Sequence, residues 1–484
     1  MAKRIEQKPI RTNIPFRLDR LPWSPWHVLV VISLGITWIL DGLEVTIVGI
    51  IGDVLRSPAT LGLSSFEVGF LGTAYLIGAV IGAIFFSYLT DRYGRKRLFM
   101  ITLGTYVAGT VASAFSWNFI SITIFRTITG LGIGGEYSAI NSAIDELIPA
   151  RVRGWVDLAI NGSWWIGTIV GSILSLYILN PAIFPINLGW RLAFFVGASL
   201  AFAVLLIRRY LPESPRWLLV HGRIDEAEEI VTQIENKVRD QTGKELEEPQ
   251  KFLVIHPRDT IGFSDVINTV FKKYPKRAIL GLWLMAGQAF LYNAIFFTYA
   301  LILGKFYGVP ADQIGLYIFP FAIGNFFGPL LLGKLFDTLG RKTMISLTYI
   351  LSGGLLAFTG YLFYLGVLNA LTQTIAWVII FFFASAGASS AYLTVSEVFP
   401  LEIRAMAIAV FYAIGTGIGG VMAPSVFGAL IGSGLPINLF YGYLLGAGLM
   451  AVAGVVELFY GVNAERKSLE EVARPLTEVE EIVE

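Results

Sequence analysis

Two carboxylic acids and one arginine stand inside long apolar stretches of this chain, where charged side chains are rare. Asp41 and Glu44 are three residues apart in the first apolar stretch, so they share one face of a helix. Arg126 stands about eight residues inside the fourth stretch, which matches the depth of Glu44 in the first. Because an isolated charge is costly inside a membrane, the spacing predicts an ion pair between Glu44 and Arg126.

A pair of this kind can be switched by a proton. Protonation of Glu44 would cancel its charge and release Arg126, so we expect both residues to carry proton coupling. Asp41 lies one turn deeper and could share the arginine. A purely structural salt bridge is the alternative.

Glu136, about 15 Å further along the fourth stretch, either bonds a partner at an inner gate or lies on the path of the proton or the substrate.

The second half of the chain has neutral polar residues where the first half has charges. Gln288, Asn293 and Asn325 lie within apolar stretches, and Tyr392 lies in a later one. An amide on a membrane helix needs a partner, which is either another helix or a ligand. For one amide alone helix packing is the simpler explanation, whereas the three together favour a ligand site at an interface between helices.

Two charged motifs occur twice, close to half the chain length apart. Each half contains an Asp, a Gly three residues later and an adjacent Arg, and each contains an acid that precedes an Arg by seven residues around a Pro. These repeats indicate two related halves that bring alternating charges to one surface. We expect a latch of surface ion pairs, each contributing only about 0–1 kcal/mol, that opens repeatedly. The predicted cytoplasmic gate consists of Asp91, Arg95, Glu146, Arg153, Glu213, Arg216, Asp337, Arg341, Glu397 and Arg404.

The elements that position these residues follow from composition. The chain of 484 residues is 55% hydrophobic and 15% charged, whereas soluble proteins contain about 25% charged residues. A membrane span needs about 20 apolar residues. Twelve stretches satisfy this length, and they predict an all-α membrane protein. The predicted spans are 26–51, 66–90, 98–116, 118–146, 155–179, 190–209, 277–304, 312–336, 343–366, 371–398, 405–432 and 437–460.

The distribution of basic residues predicts the orientation in the membrane. If the N-terminus is inside, the outer loops hold only Arg56, Arg191 and Lys305 of the 36 Lys and Arg residues. We therefore expect a cell-membrane protein with both tails in the cytoplasm and no cleaved signal peptide. The predicted units are a tail (1–25), a six-helix bundle (26–209), a cytoplasmic loop with short amphipathic helices (210–276), a second six-helix bundle (277–460) and a tail (461–484).

Other chemistries find little support in the sequence. The chain has no cysteine, its three histidines are isolated, and no metal-ligand spacing, nucleotide loop or nucleophile constellation is present. The run from Gly130 to Gly134 lies in an apolar stretch and not after a strand, so it predicts close helix packing. Further glycines in the fifth and eleventh stretches are typical of helices that bend or slide. We expect no enzyme activity, no cofactor, no metal and no nucleic-acid partner.

The repeated motifs resemble those of the major facilitator superfamily, and within it the sugar porter branch and its synaptic-vesicle-like and organic-ion relatives. The Asp/Gly/Arg pairs mark the superfamily, and the acid–Pro–Arg repeats, the run from Arg126 to Glu136 and the segment from Pro212 to Trp217 narrow it to that branch. The resemblance covers nearly the whole chain. It implies twelve helices in two pseudo-symmetric six-helix bundles.

The resemblance also implies site residues. Glu44 matches an acid of proton-coupled sugar porters, Arg126 its partner, and Gln288, Asn293 and Asn325 match sugar-contacting amides. Asn161 stands where that branch has a glutamine, and Tyr392 where it has a tryptophan. Gly287, Phe290-Leu291 and Ala388-Ser389 also depart from the sugar pattern, and Asp41 is similar to the pattern of aromatic-acid and organic-ion symporters.

We therefore expect a monomeric secondary transporter that couples a small polar organic solute, such as a sugar, an organic acid or a related metabolite, to a proton by alternating access. A uniporter without ion coupling is one alternative. A non-transporting sensor is the other, although sensors of this kind would be expected to carry a large signalling domain, and the predicted tail after 460 has 24 residues. The partners expected are the solute, a proton and the lipid bilayer.

Overall fold

The computed structural model of the chain describes residues 9–180, 182–208, 212–249, 251–255, 262–296, 298–309 and 314–476. Most of these residues lie in helices. The first half contains α1 (Ile14–Asp19), α2 (Pro25–Arg56), α3 (Ser65–Tyr93), α4 (Arg95–Ala114), α5 (Phe119–Leu147), α6 (Arg153–Gly162), α7 (Trp164–Ile178) and α8 (Ile186–Arg208).

The loop that connects the halves forms short helices and part of a small sheet. Its helices are α9 (Pro215–Val220), α10 (Ile224–Thr242) and α11 (Phe263–Asn268), and a π turn follows at Thr269–Lys273. Strand β1 (Ile10–Thr12) of the N-terminal tail pairs antiparallel with β2 (Leu253–Ile255) of this loop, with Ile10 opposite Ile255. The tail is therefore tied to the connecting loop.

The second half repeats the pattern of long helices. It contains α12 (Pro275–Phe296), α13 (Tyr299–Tyr307), α14 (Ile314–Thr338), α15 (Arg341–Tyr364), α16 (Ala370–Glu397), a 3-10 turn (Leu401–Ile403), α17 (Arg404–Thr416), a π turn (Gly417–Met422), α18 (Ala423–Gly432), α19 (Pro436–Tyr460) and α20 (Leu469–Val472).

Local sequence explains where several helices begin. Ser64 caps α3 in a capping box with Glu67, and the pairs Asn118–Ser121 and Asn369–Thr372 do the same for α5 and α16. The duplicated motif places a glycine between α3 and α4 and again between α14 and α15. Gly94 (φ +97°) and Gly340 (φ +107°) adopt backbone angles that favour glycine, which lets one long helix turn directly into the next.

Ten helical segments of the described residues are long and apolar enough to cross a membrane. The other two predicted spans, 98–116 and 118–146, fall on α4 and α5, which have sufficient length but lower hydropathy. The charges explain this: α4 begins with three basic residues, and α5 contains Arg126 and Glu136. The protein is therefore an all-helical membrane protein that crosses the bilayer several times.

Helix packing follows the same scheme in both halves. Helix α3 packs on α5 as α14 packs on α16, and α4 packs on α8 as α15 packs on α19. Between the halves, α6 contacts α14, and α17 contacts α3. The two halves thus meet through equivalent pairs of helices.

The predicted small-residue face of α5 is confirmed. A Cβ atom added at Gly130 would collide with the carbonyl oxygen of Tyr75, and one at Gly134 with that of Ala79, so both glycines let α3 lie directly against α5. Of the glycines in the fifth stretch, Gly167 packs α7 against the backbone of Ile39 in α2, and Gly162 ends α6 at the break before α7. The glycines of the eleventh stretch do lie at a break, the π turn between α17 and α18.

Candidate functional site: a cavity beside a buried acid–arginine pair

Glu44 and Arg126 are in direct contact. Glu44 on α2 accepts a hydrogen bond from a guanidinium nitrogen of Arg126 on α5, and the two form a salt bridge. Glu44 is 2% exposed and Arg126 1%. Thr110 of α4 adds a longer contact of 3.4 Å from its hydroxyl to the second oxygen of Glu44. The contact expected from matching depth is present, and its role in coupling stays a prediction.

Asp41 has different partners from those we considered. Its carboxylate accepts hydrogen bonds from the hydroxyls of Tyr75 and Tyr137 and from Nε1 of Trp164, the last at 2.6 Å. Tyr75 also lies under Arg126, whose guanidinium carbon is 4.6 Å from the centre of its ring. One tyrosine therefore contacts both Arg126 and Asp41.

Asp41 lines a cavity of about 210 Å³ between the two halves of the chain. Helices α2, α3, α5, α6 and α7 supply one wall, and α12, α16 and α17 supply the other. Because residues of both halves form the walls, any movement of one half against the other changes the cavity.

Aromatic side chains dominate the cavity walls. Trp38 stacks on Tyr137 with ring centres 4.6 Å apart, and Tyr392 meets Trp38 edge to face at 5.7 Å. On the opposite side Trp165 packs edge to face against Phe296 at 5.6 Å. In the described part of the chain the aromatic lining consists of nine residues: Trp38, Tyr75, Tyr137, Trp164, Trp165, Tyr292, Phe296, Tyr392 and Tyr412.

Four of the five predicted substrate-binding residues line this cavity, namely Asn161, Gln288, Asn293 and Tyr392. Asn161 uses its Nδ2 for bonds within the protein, but its buried Oδ1 has no hydrogen-bond donor among the described residues. The Nε1 of Trp38 is likewise buried without an acceptor in that part of the chain. A ligand would satisfy both atoms.

Asn325 lies behind the cavity wall and is fully buried. Its Oδ1 accepts a hydrogen bond of 2.7 Å from the hydroxyl of Tyr292, and its Nδ2 donates to the carbonyl oxygen of Phe321. The residue therefore fixes the orientation of Tyr292, which does line the cavity. Its predicted contact with substrate stays a prediction.

The predicted gate residues form a closed latch at the face that carries both tails, which we call the tail face. Arg95 bonds Asp91 (3.2 Å) and Glu146 (2.9 Å). Arg341 repeats this pattern with Asp337 (2.8 Å) and Glu397 (3.0 Å). Glu213 accepts a hydrogen bond from the backbone N–H of Arg95 at 2.8 Å.

Contacts across the two halves complete the latch. Asp91 accepts a hydrogen bond from the backbone N–H of Met406 at the start of α17 (3.0 Å), and Asp337 accepts one from Trp155 at the start of α6 (2.7 Å). Arg153 lies 3.7 Å from Glu397, and Arg404 lies 3.7 Å from Glu146. Each half thus caps a helix of the other with a carboxylate.

The latch is buried, which corrects the expectation of weak surface pairs. Arg153 and Glu146 are fully buried, and Glu397 and Arg404 are each 1% exposed. Removing one member of a buried pair leaves an uncompensated charge that costs about 3–5 kcal/mol. Opening this face therefore requires water to enter and hydrate these groups together.

Both tails extend the latch. Asp19 of the N-terminal tail bonds Arg153 (3.0 Å) and Arg216 (2.9 Å), and Glu470 of the C-terminal tail bonds Arg216 (2.9 Å). Burial raises the pKa of Asp19, and the guanidiniums of Arg216 and Arg153 oppose that shift. Burial also raises the pKa of Glu213. The motif search found the arginines and Glu213 but missed the tail acids, which belong to no repeat.

Glu136 is fully buried in α5 and accepts a hydrogen bond from the hydroxyl of Thr102 in α4. Within the described residues it belongs neither to the cavity lining nor to the ion pairs of the latch given above. Sequence reasoning also missed most of the aromatic lining. The position of two tryptophans in the sequence could have indicated them as lining residues. Trp38 is three residues before Asp41, and Trp164 is three residues after Asn161.

Comparison with known proteins agrees with this architecture. The family model of the sugar (and other) transporters matches residues 52–476. A niacin transporter of Acinetobacter baylyi is 28% identical over 458 residues, which are 94% of this chain and 98% of that protein. A putative niacin/nicotinamide transporter of Bacillus subtilis is 25% identical over 450 residues, 93% and 99% of the two chains.

A solved structure has the same fold. The major facilitator proton:xylose symporter of E. coli, bound to 6-bromo-6-deoxy-D-glucose, superposes with a TM-score of 0.75 at 19% identity and covers 92% of this chain and 98% of that one. The family match covers most of the chain and the structural match shares its helical architecture. The chain belongs to the sugar (and other) transporter family and is a membrane transporter, not an enzyme, and its fold is that of the major facilitator symporter.

Proposed function

We propose that this protein is a proton-coupled symporter that carries a small polar organic solute across the cell membrane by alternating access. It has twelve spans in two six-helix bundles, with α4 and α5 completing the ten apolar helices. The tail face lies in the cytoplasm, because the loops on the other side hold only Arg56, Arg191 and Lys305 of the basic residues. The closed latch corresponds to a state that is shut toward the cytoplasm.

The observation that carries this proposal is the connection from Glu44 through Arg126 and Tyr75 to Asp41 in the cavity wall. A proton bound by Glu44 from outside removes the negative partner of Arg126. The freed guanidinium then changes the electrostatic field at the Tyr75 ring and at Asp41, which lies at the solute site. Occupation of the proton site and occupation of the cavity are thereby linked, as symport requires.

Within the class of small polar solutes, the cavity favours a flat ring over a hexose. Nine aromatic side chains offer faces for stacking, and the volume of about 210 Å³ suits a single ring. Asp41, Asn161 and Gln288 supply the polar contacts. The relative that transports niacin, a small aromatic acid, supports the same class.

Transport by purified protein in proteoliposomes tests the proposal. Thermal-shift binding with nicotinate, nicotinamide, benzoate and D-xylose first selects the solute. An inward proton gradient is then expected to drive accumulation of that solute by the native protein. Glu44→Gln should abolish accumulation yet retain counterflow exchange, because the cavity is intact. Glu247→Gln, a change of an exposed loop residue, is the matched control.

Accumulation by Glu44→Gln that equals the native level would remove Glu44 from coupling. Exchange without accumulation by the native protein would instead identify a uniporter. If D-xylose is the one compound of the four that stabilises the protein, the flat-ring class is rejected and the coupling proposal stands.

A further inference from the structure

Polar residues form a buried ladder between the cavity and the latch. They recur every four residues on both α5 and α6, so each set lies on one helix face. From the cavity to the latch, the residue numbers rise along α5 and fall along α6. The α5 set is Tyr137, Asn141 and Asp145, and the α6 set is Asn161, Asp157 and Arg153. None of these six side chains is more than 7% exposed.

Hydrogen bonds join the upper part of the ladder to the cavity. Asn161 Nδ2 donates to Asn141 Oδ1 and to Asp157 Oδ2, each at 3.2 Å. Asn141 Nδ2 donates to the carbonyl oxygen of Tyr137 at 2.7 Å, and the Tyr137 hydroxyl donates to Asp41. The ladder is therefore continuous with the solute site.

Among the described residues, Arg404 is a charge partner of Asp145, whereas Asp157 has no cation of its own. Both carboxylate oxygens of Asp145, and Oδ1 of Asp157, are buried without a hydrogen-bond donor among the described residues. The charges of Glu397, Arg153, Arg404 and Asp157 act on Asp145, which also has the Ser396 hydroxyl beside it, and those of Asp145, Glu397, Arg341 and Asp337 act on Asp157.

Two of the arginines in that set have close carboxylate partners. Arg153 bonds Asp19 (3.0 Å), and Arg341 bonds Asp337 (2.8 Å) and Glu397 (3.0 Å). Arg404 lies 3.7 Å from Glu146. Asp145 and Glu146 thus share Arg404, and Asp157 is a surplus acid whose neighbouring charges are mostly carboxylates, so the Asp145–Asp157 pair has more negative charge than its arginines neutralise. A buried carboxyl group in such surroundings is stable only in its neutral, protonated form.

We propose that Asp145 and Asp157 form an inner proton-binding site. The site holds protons while the tail face is closed and gives them to water when that face opens. It lies one to two helical turns from the solute site, and opening the latch hydrates it because the same helices carry both. The direction of release rests on the proposed function, which places the tail face in the cytoplasm.

This site makes the inward-open state sensitive to cytoplasmic pH. An acidic interior keeps both acids protonated, and the protonated site favours closure of the tail face. An alkaline interior removes the protons and holds the tail face open until they return. Proton release inside is then separate from proton capture at Glu44 outside, so each face has its own pH dependence.

Solute uptake at fixed external pH and varied internal pH tests the site. The native rate is expected to change several-fold as the interior is shifted from mildly acidic to mildly alkaline, and Asp157→Asn should lose that dependence while keeping the external one. Glu457→Gln is the matched control, because Glu457 is fully buried in α19 and neither of its carboxylate oxygens has a donor in the described residues. An Asp157→Asn protein with the native internal-pH dependence overturns the site, as does equal loss in Glu457→Gln.

Infrared spectra of the purified proteins give a readout that does not need transport. At neutral pH the native protein should show the carbonyl band of protonated carboxyl groups, and Asp157→Asn and Asp145→Asn should each lower its intensity. An unchanged band in both variants means that the acids are ionised and overturns the site. Because this measurement does not involve Glu44 or the solute, it separates failure of the inner site from failure of the proposed symport.

Discussion

Tyr75 connects the buried ion pair to the cavity through two parts of its side chain. Its ring face lies 4.6 Å from the Arg126 guanidinium, and its hydroxyl donates to Asp41. The ring responds to the charge of the arginine, whereas the hydroxyl sets the charge distribution on the aspartate. This residue is the shortest link between the proposed proton site and the proposed solute site.

Tyr75→Phe separates these two contacts. The ring remains under Arg126, but Asp41 loses one of its three donors, and a net hydrogen bond contributes about 0.5–1.5 kcal/mol. We expect solute affinity to fall by roughly two- to tenfold on this basis, with little change in thermal stability. Equilibrium binding by the purified variant measures the effect, and Tyr93→Phe at an exposed position is the control. Native affinity in Tyr75→Phe would show that the hydroxyl does not support the site.

At the residue scale the sequence predicted the ionisable groups better than the rest of the site. Glu44 and Arg126 could be found because charges are rare in apolar stretches and must be paired. Most of the aromatic lining was not found, because 11 tryptophans and 20 tyrosines are spread through the chain and only the spacing of Trp38 and Trp164 from polar site residues marks any of them. Asp157 is four residues before Asn161, which places both on one helix face, but it belongs to no family motif that would mark it as a site residue.

At the scale of elements, α1 is docked on α10 by charge. Arg17 bonds Glu235 (2.6 Å) and Glu228 (2.5 Å), and Arg20 also bonds Glu235 (2.6 Å). Burial by itself would raise the pKa of Glu235, but the hydrogen bonds from Arg17 and Arg20 are together stronger and hold that pKa below its ordinary value. The ionised carboxylate therefore holds the tail helix, which also carries Asp19 to the latch.

The sign of this shift predicts how docking depends on pH. Because the pKa of Glu235 is lower in the docked state, its contribution is fully present above the ordinary glutamate pKa and is lost as pH falls through the docked value. Glu235→Gln should weaken docking at neutral pH and remove this acid dependence. Hydrogen exchange of the amides of 14–19, corrected for the intrinsic rate, measures docking. Equal protection in the variant and the native protein at neutral pH would contradict the role of Glu235.

Helix positions followed from hydropathy, and the glycines of the fifth and eleventh stretches indicated which helices are interrupted, but not at which residue. The ten apolar segments agree with predicted spans because a bilayer requires a fixed apolar length. The interruption at Ser163 between α6 and α7 lies inside one predicted span, 155–179, and no proline marks it. Tertiary packing places it, since Gly162 lies against Pro329 of α14 and Trp164 against Asp41.

At the scale of the whole molecule, the latch holds the two halves by a reciprocal arrangement. Asp91 of the first half caps α17 of the second, and Asp337 of the second caps α6 of the first. The duplicated motif could be read from the sequence, which predicted alternating charges on one surface but did not say which acid pairs with which arginine. The caps across the halves could not, because they depend on how the halves face each other.

Asp337→Asn is expected to loosen this closure. It removes the charge that accepts the N–H groups of Gly154 (3.1 Å) and Trp155 (2.7 Å) and that pairs with Arg341. The native chain has no cysteine, so Arg92→Cys and Thr338→Cys provide two unique spin-label sites on the tail face. Pulsed electron resonance should show a longer mean distance in Asp337→Asn than in the native background. The same distance in both would mean that the cap does not hold the halves.

The most direct test of the account measures protons that the solute carries with it. Proteoliposomes without an imposed gradient contain a pH-sensitive dye, and the selected solute is added outside. The native protein should acidify the interior as solute enters, whereas Glu44→Gln should admit solute with no change in internal pH. Acidification by Glu44→Gln at the native rate would contradict the claim that the Glu44–Arg126 pair couples solute to proton.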